Sequence, residues 1–122
     1  MTEINQTELS TMKNYMEALK ICEIIQRLSR TYSVNLHLDT KDEVASKLSK
    51  LYCLRKNLDD LSDTLPKTEV FHENGKSLGF LYDDEQMGNV MLSTGIKVNA
   101  AIQHTEGYFR KFSCKGLIRG VN

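Results

Sequence analysis

No stretch of this 122-residue sequence approaches the roughly 18 consecutive apolar residues that a membrane-spanning helix requires, so no membrane contact is expected. The opening residues, Met1-Thr2-Glu3-Ile4-Asn5, offer neither a basic n-region nor an apolar h-region, and no secretory leader is legible in them. Net charge is missing too. With 16 basic and 16 acidic side chains, no electrostatic partner is implied for the molecule as a whole, and little repulsion opposes self-association. Cysteine is sparse: Cys22, Cys53 and Cys114 are odd in number and share no short spacing. That excludes a disulfide framework and points to reduced thiols in the cytoplasm. CxxC, HxxxH and HExxH are all absent, and Gly75, Gly79 and Gly88 match neither the P-loop nor the dinucleotide fingerprint. No metal or cofactor is expected.

What remains is an ordinary globular mixture, 40% hydrophobic and 26% charged, of a length that suits one domain over residues 1–122. It divides into a helical half, 1–65, and a β-containing half, 66–122. The first helix should run from about Gln6 to about Tyr32, with no Gly or Pro to interrupt it. Asn5 and Glu8 form an N-x-x-E capping pattern, and Ile4 and Leu9 are spaced as a hydrophobic staple.

The apolar residues of this helix fall on two faces. At about 100° per residue, Leu9, Met12, Tyr15, Met16, Leu19 and Cys22 share one. Ala18, Ile21, Ile24, Ile25, Leu28 and Tyr32 share another, nearly opposite. Either the helix bends or breaks near Lys20 to Glu23, or is wrapped by the rest of the fold, or one face packs in the core while the other meets a second chain. Large apolar stripes are rarely left bare on soluble monomers, which keeps the last reading in play.

Thr40-Lys41-Asp42-Glu43 is a T-x-x-E capping box that opens a second helix, and Leu65-Pro66 ends it near Thr64. Leu51, Leu54, Leu58, Leu61 and Leu65 repeat at three- and four-residue steps. About two heptads are too few for an autonomous coiled coil, so packing as an antiparallel hairpin with the first helix is expected, with a zipper as the alternative. Beyond Pro66, Val70 to Glu73 and Lys76 to Tyr82 flank Asn74-Gly75, the signature of a β-hairpin closed by a type I′ turn. Leu78, Phe80 and Tyr82 should then share a face. From Asp83 onward a short helix is expected to Met91 or so, ended by Gly95, with a strand alternating through Ile96, Val98, Ala100 and Ile102. A turn at Thr105 to Gly107 and a last strand at Tyr108 to Cys114 complete this reading. Met87, Met91, Thr94, Val98 and Ala101 also fit a helical seam, but Gly88, Gly95 and Gly107 would each cost one long helix about 1 kcal/mol against Ala. The fold class expected is α+β, a helical hairpin packed on a small antiparallel sheet; the alternative is mainly α with one β-hairpin.

Site chemistry is thin. His37, His72 and His104 fall in separate segments, and His37-x-Asp39 is the common pattern of an extended segment as much as a general-base pair. Asp83-Asp84-Glu85 lacks the alternating ligands of a calcium loop and suits a helix N-terminus. The basic C-terminal segment is the strongest local signal. Residues 107–122 carry Arg110, Lys111, Lys115 and Arg119 with no acid, a charge of +4, while residues 1–66 sum to −1 and 67–106 to −3. Tyr108, Phe109 and Phe112 interleave, a combination that could stack bases while the cations meet phosphates, serve as an edge strand, or meet an acidic protein. No enzymatic activity is expected. The function expected is that of an interaction protein, an adaptor or stoichiometric regulator, self-associating through Met12, Met16 and Leu19 or Ile21, Ile24 and Leu28. The alternative is nucleic-acid binding, with Arg110, Lys111, Lys115 and Arg119 on phosphates and Tyr108 or Phe109 stacking.

Overall fold

The computed structural model describes the backbone of residues 6–35 and 38–121, and the side chains of 12–35 and 38–112. Its elements are α1 (Gln6–Thr31), α2 (Lys41–Thr64), β1 (Lys67–Phe71), β2 (Ser77–Tyr82) and α3 (Glu85–Val121). Three helices with one two-stranded antiparallel sheet make the α+β fold expected. The capping and staple positions Ile4 and Asn5 lie outside the described residues.

The capping box at the head of α2 is formed as the sequence predicts. The Thr40 hydroxyl accepts from the Glu43 amide at 3.2 Å, and the Glu43 carboxylate reaches back to the Thr40 amide at 3.5 Å. Ahead of it, Asp39 ties the α1–α2 connection: its carboxylate accepts from the Asn35 amide at 2.7 Å and pairs with the Lys47 ammonium at 2.7 Å. The backbone hydrogen bond, then the lysine, hold the Asp39 carboxyl below the usual carboxylate range. Leu36 and His37 lie outside the described residues.

The largest departure from the sequence reading is α3. The expected strands at 96–102 and 108–114 do not exist; both belong to one helix of 37 residues. Its buried side chains are Met87, Met91, Thr94, Val98, Ile102 and Thr105, at three- and four-residue steps. The alternation of Ile96, Val98, Ala100 and Ile102 was coincidental, since Val98 and Ile102 are one helical turn apart and Ile96 is exposed. At two of the glycines the helix comes close to its neighbours: a Cβ at Gly88 would lie 3.4 Å from the Tyr82 side chain, and one at Gly95 would lie 3.8 Å from Leu58.

Both other helices pack chiefly on α3, rather than on each other. Cys22 meets Met91 and Gln26 meets Thr94, so α1 and α3 run in the same direction. Leu58 lies against Gly95 while Tyr52 bonds Glu106, so α2 runs the opposite way. The leucine row expected to pack on α1 is buried, although α2 meets α3 more than α1: Leu51, Leu54, Leu58 and Leu65 are buried and Leu61 packs against them.

The hairpin is inserted where α2 turns back into α3. Its neck is closed by the Asp83 amide donating to the Pro66 carbonyl at 3.1 Å and by the Ser62 and Tyr82 hydroxyls bonding at 2.6 Å. Asp84 then caps α3, its carboxylate accepting from the Met87 amide at 2.7 Å. The turn differs from the type I′ expected. Asn74 keeps a negative φ and only Gly75 is positive, at +87°. The Gly75 amide donates to the His72 carbonyl, and the His72 amide to the Lys76 carbonyl, each at 2.8 Å. This is a three-residue loop with glycine in the left-handed position. A β-bulge follows: Val70 pairs with Gly79 but Phe71 pairs with Ser77, leaving Leu78 extra, and Gly79 takes φ +112°. The bulge breaks the alternation that would have placed Leu78 beside Phe80 and Tyr82.

Two outcomes test this packing. Thr105 buries a hydroxyl with no hydrogen-bond partner among the described residues. Replacing Thr105→Val, which keeps the shape and removes the stranded polar atom, should raise unfolding free energy by about 1 kcal/mol in urea titration. For Asp39 the depressed carboxyl contributes stability above its unfolded pKa of about 3.9 and loses it as pH falls through the folded value. Asp39→Asn should therefore be less stable than the parent at pH 7, with the gap narrowing on acidification to pH 3 in the same titration.

Candidate functional site

Helix α1 buries neither of its two predicted faces whole. It runs unbroken through Lys20 to Glu23, and its buried line is Ala18, Cys22, Ile25 and Ser29, with Tyr15 and Tyr32 half-covered at the ends. That line lies between the two faces and takes residues from both. A helix that touches its neighbours along a narrow seam leaves its flanks to solvent. On one flank Met12, Met16 and Leu19 are exposed, Met16 by 62%. On the other Ile21 and Ile24 are exposed, Ile24 by 47%, with Leu28 half-buried beside them.

The second flank is concave. Because α1 and α2 both lean on α3, they diverge on the far side and leave a groove of about 450 Å³ between them. Ile21, Ile24 and Leu28 form one wall, and Leu54 and Leu61 of α2 form the other. Asn57, Asp60 and Thr64 make a polar rim along α2. Leu54 and Leu61 were visible in sequence only as core leucines. Their second role arises from the splay of the helices, which no helical period encodes.

The hairpin carries a further apolar patch. Phe71, Leu78, Phe80 and Leu81 are all exposed, and cross-strand pairing sets Phe80 opposite Glu69, with Leu81 opposite Thr68 on the other side of the ribbon. Two strands cannot bury both faces of themselves.

The basic segment is helix, and this changes the use of its aromatic residues. Phe109 packs on the core cluster, and Tyr108 stacks on Phe112 with centroids 5.5 Å apart at 11°. The Lys111 ammonium sits 5.3 Å from the Tyr108 ring centre. Arg110 is exposed and donates to the Glu106 carbonyl at 3.4 Å. Lys115 and Arg119 lie outside the described side chains. The aromatic rings are therefore engaged within the chain already.

The two described histidines lie apart. His72 sits in the hairpin loop, where its Nδ1 accepts from the Asn74 amide at 3.3 Å, and His104 lies on α3 near the end of α1. His37 lies outside the described residues. Among the described residues no three His, Cys, Asp or Glu side chains group as metal ligands, and Asp83 accepts instead from the Thr68 hydroxyl at 2.6 Å. Cys22 is buried, with its Sγ 3.5 Å from the Met91 sulfur, and burial pushes its thiol up; Cys53 is exposed. Tyr52 hydrogen-bonds the Glu106 carboxylate, which raises the Tyr52 hydroxyl. Among the described residues no helix is long and apolar enough to cross a membrane.

No protein-family model, curated protein or solved structure matches the chain, so the groove, the hairpin and the basic residues are judged on their own geometry.

Proposed function

We propose that this chain is a non-catalytic interaction protein, an adaptor or stoichiometric regulator, that self-associates through α1. One observation carries the reading: Ile21 and Ile24 stand exposed on the wall of an apolar groove whose other wall, Leu54 and Leu61, is already in place. A helix ridge at i, i+3 and i+7 is the element that fills such a groove, and Ile21, Ile24 and Leu28 make one themselves. A two-fold contact in which each subunit offers both ridge and groove satisfies both copies at once. The zero net charge opposes this little. Nucleic-acid binding through the C-terminal segment has less support, because Phe109 packs inward and Tyr108 is held between Phe112 and Lys111.

Light scattering at micromolar concentration should give about twice the 13.9 kDa chain mass. The double substitution Ile24→Lys with Leu28→Lys should yield a helical monomer, since Ile24 is exposed and Leu28 borders solvent. Ile25→Lys, by contrast, places a charge at a position 3% exposed and should unfold the chain. A parent protein that scatters as a single chain at every concentration would overturn the proposal.

A further inference from the structure

On the opposite side of α1 from the groove, where its last turns cross α3, lies a cleft of about 480 Å³. Its lining combines Arg30 and Ser33 of the α1 end with Lys97 and His104 of α3. Ala100 and Ala101 complete its lining. No carboxylate lines it among the described residues, and neither Arg30 nor Lys97 makes an ion pair there. In a chain with as many acids as bases, basic groups gathered without an acid repel one another when folded.

Among the described residues no carboxylate supplies a counter-charge to this cleft. Helix C-termini attract cations because their last carbonyls are unsatisfied, but at the end of α1 two of those carbonyls already have backbone donors. The Leu28 carbonyl accepts from the Tyr32 amide, the Arg30 carbonyl from the Ser33 amide, and the Ser33 carbonyl from Lys47. Lys97 is also held in place. The Thr94 hydroxyl is committed as a donor to the Val90 carbonyl at 2.7 Å, so it must accept from the Gln26 amide nitrogen, at 2.8 Å. The Gln26 carbonyl oxygen is thereby turned towards Lys97, 3.0 Å away. A neutral carboxamide positions the ammonium and leaves its charge uncompensated.

We infer that this cleft binds the phosphate group of a small phosphorylated ligand, with Lys97, Arg30 and His104 contacting its oxygens and Ser33 beside them. Its volume falls in the range of small-molecule sites, and a guanidinium and an ammonium lining one cleft suit a tetrahedral oxyanion. The same chemistry could come from a nucleic-acid backbone, but that would call for cations strung along a track. The next basic residue on this stripe of α3, Lys111, lies seven residues beyond His104, roughly 10 Å along the helix, and sits over Tyr108. The inference is independent of the α1–α2 groove.

Calorimetric titration of the full chain with inorganic phosphate, pyrophosphate and AMP tests it, with amide chemical-shift mapping to locate binding. Saturable binding is expected, with shifts concentrated at residues 29–33 and 97–104. Lys97→Gln and Arg30→Gln, both at exposed positions, should each weaken affinity about tenfold or more while the circular dichroism stays unchanged. Lys111→Gln should leave the affinity where it was, and so should Ile24→Lys, which separates this site from the association surface. Absence of binding by all three probes would overturn the inference. So would binding seen only with a single-stranded oligonucleotide and weakened as much by Lys111→Gln as by Lys97→Gln.

Discussion

Burial of one stripe on α3 holds the other elements where they are. Met87, Met91, Val98 and Ile102 are each covered to 5% exposure or less, and burial of side chains this size contributes roughly 1.5–3 kcal/mol apiece. Helix α1 reaches this stripe from one side, through Cys22, and α2 from the other, through Leu58 beside Gly95. Because two helices share a third, their mutual contact is slight, and the surface between them stays open. The apolar groove and the basic cleft are both by-products of this sharing, one on each side of α1.

The same geometry explains the awkward pattern in α1. A helix packed against a flat partner buries a broad stripe, whereas α1, touching its neighbours along a single line, buries Ala18, Cys22, Ile25 and Ser29 and little beside them. Three of those four are small, and larger apolar residues, Met16 and Ile24 among them, are placed on the flanks. Such an assignment of bulk to the outside weakens a solitary subunit and suits one that presents its flanks to something else.

Local rules were legible in the sequence wherever local interactions decide. The Thr40 capping box, the Pro66 stop, the leucine row of α2 and the presence of a hairpin around Asn74-Gly75 all followed from short-range chemistry. The rest was decided by tertiary contacts. Helix α3 departs from the sequence reading because Gly88 and Gly95 count against a helix by propensity alone, whereas burial of the line from Met87 to Thr105 holds the helix together. The hairpin turn was misassigned because Asn74 stayed in ordinary backbone space and the loop closed one residue wider. Of the candidate sites, the exposed α1 flanks could be named from periodicity. Leu54 and Leu61 as a groove wall could not, nor could the placing of Arg30 and Lys97 on one cleft, residues far apart in sequence and brought to it only once α3 is known to be continuous.

The glycine bulge in β2 bears on whether another strand can add to this ribbon. The strand Ser77–Tyr82 is uncharged and rich in large apolar residues, the composition from which cross-β fibrils nucleate. An added strand would need a straight, regular row of amides and carbonyls to copy. Gly79, at φ +112°, kinks that row midway along the strand. A side chain at that position would strain the kink, so the irregular edge depends on this one residue without a side chain.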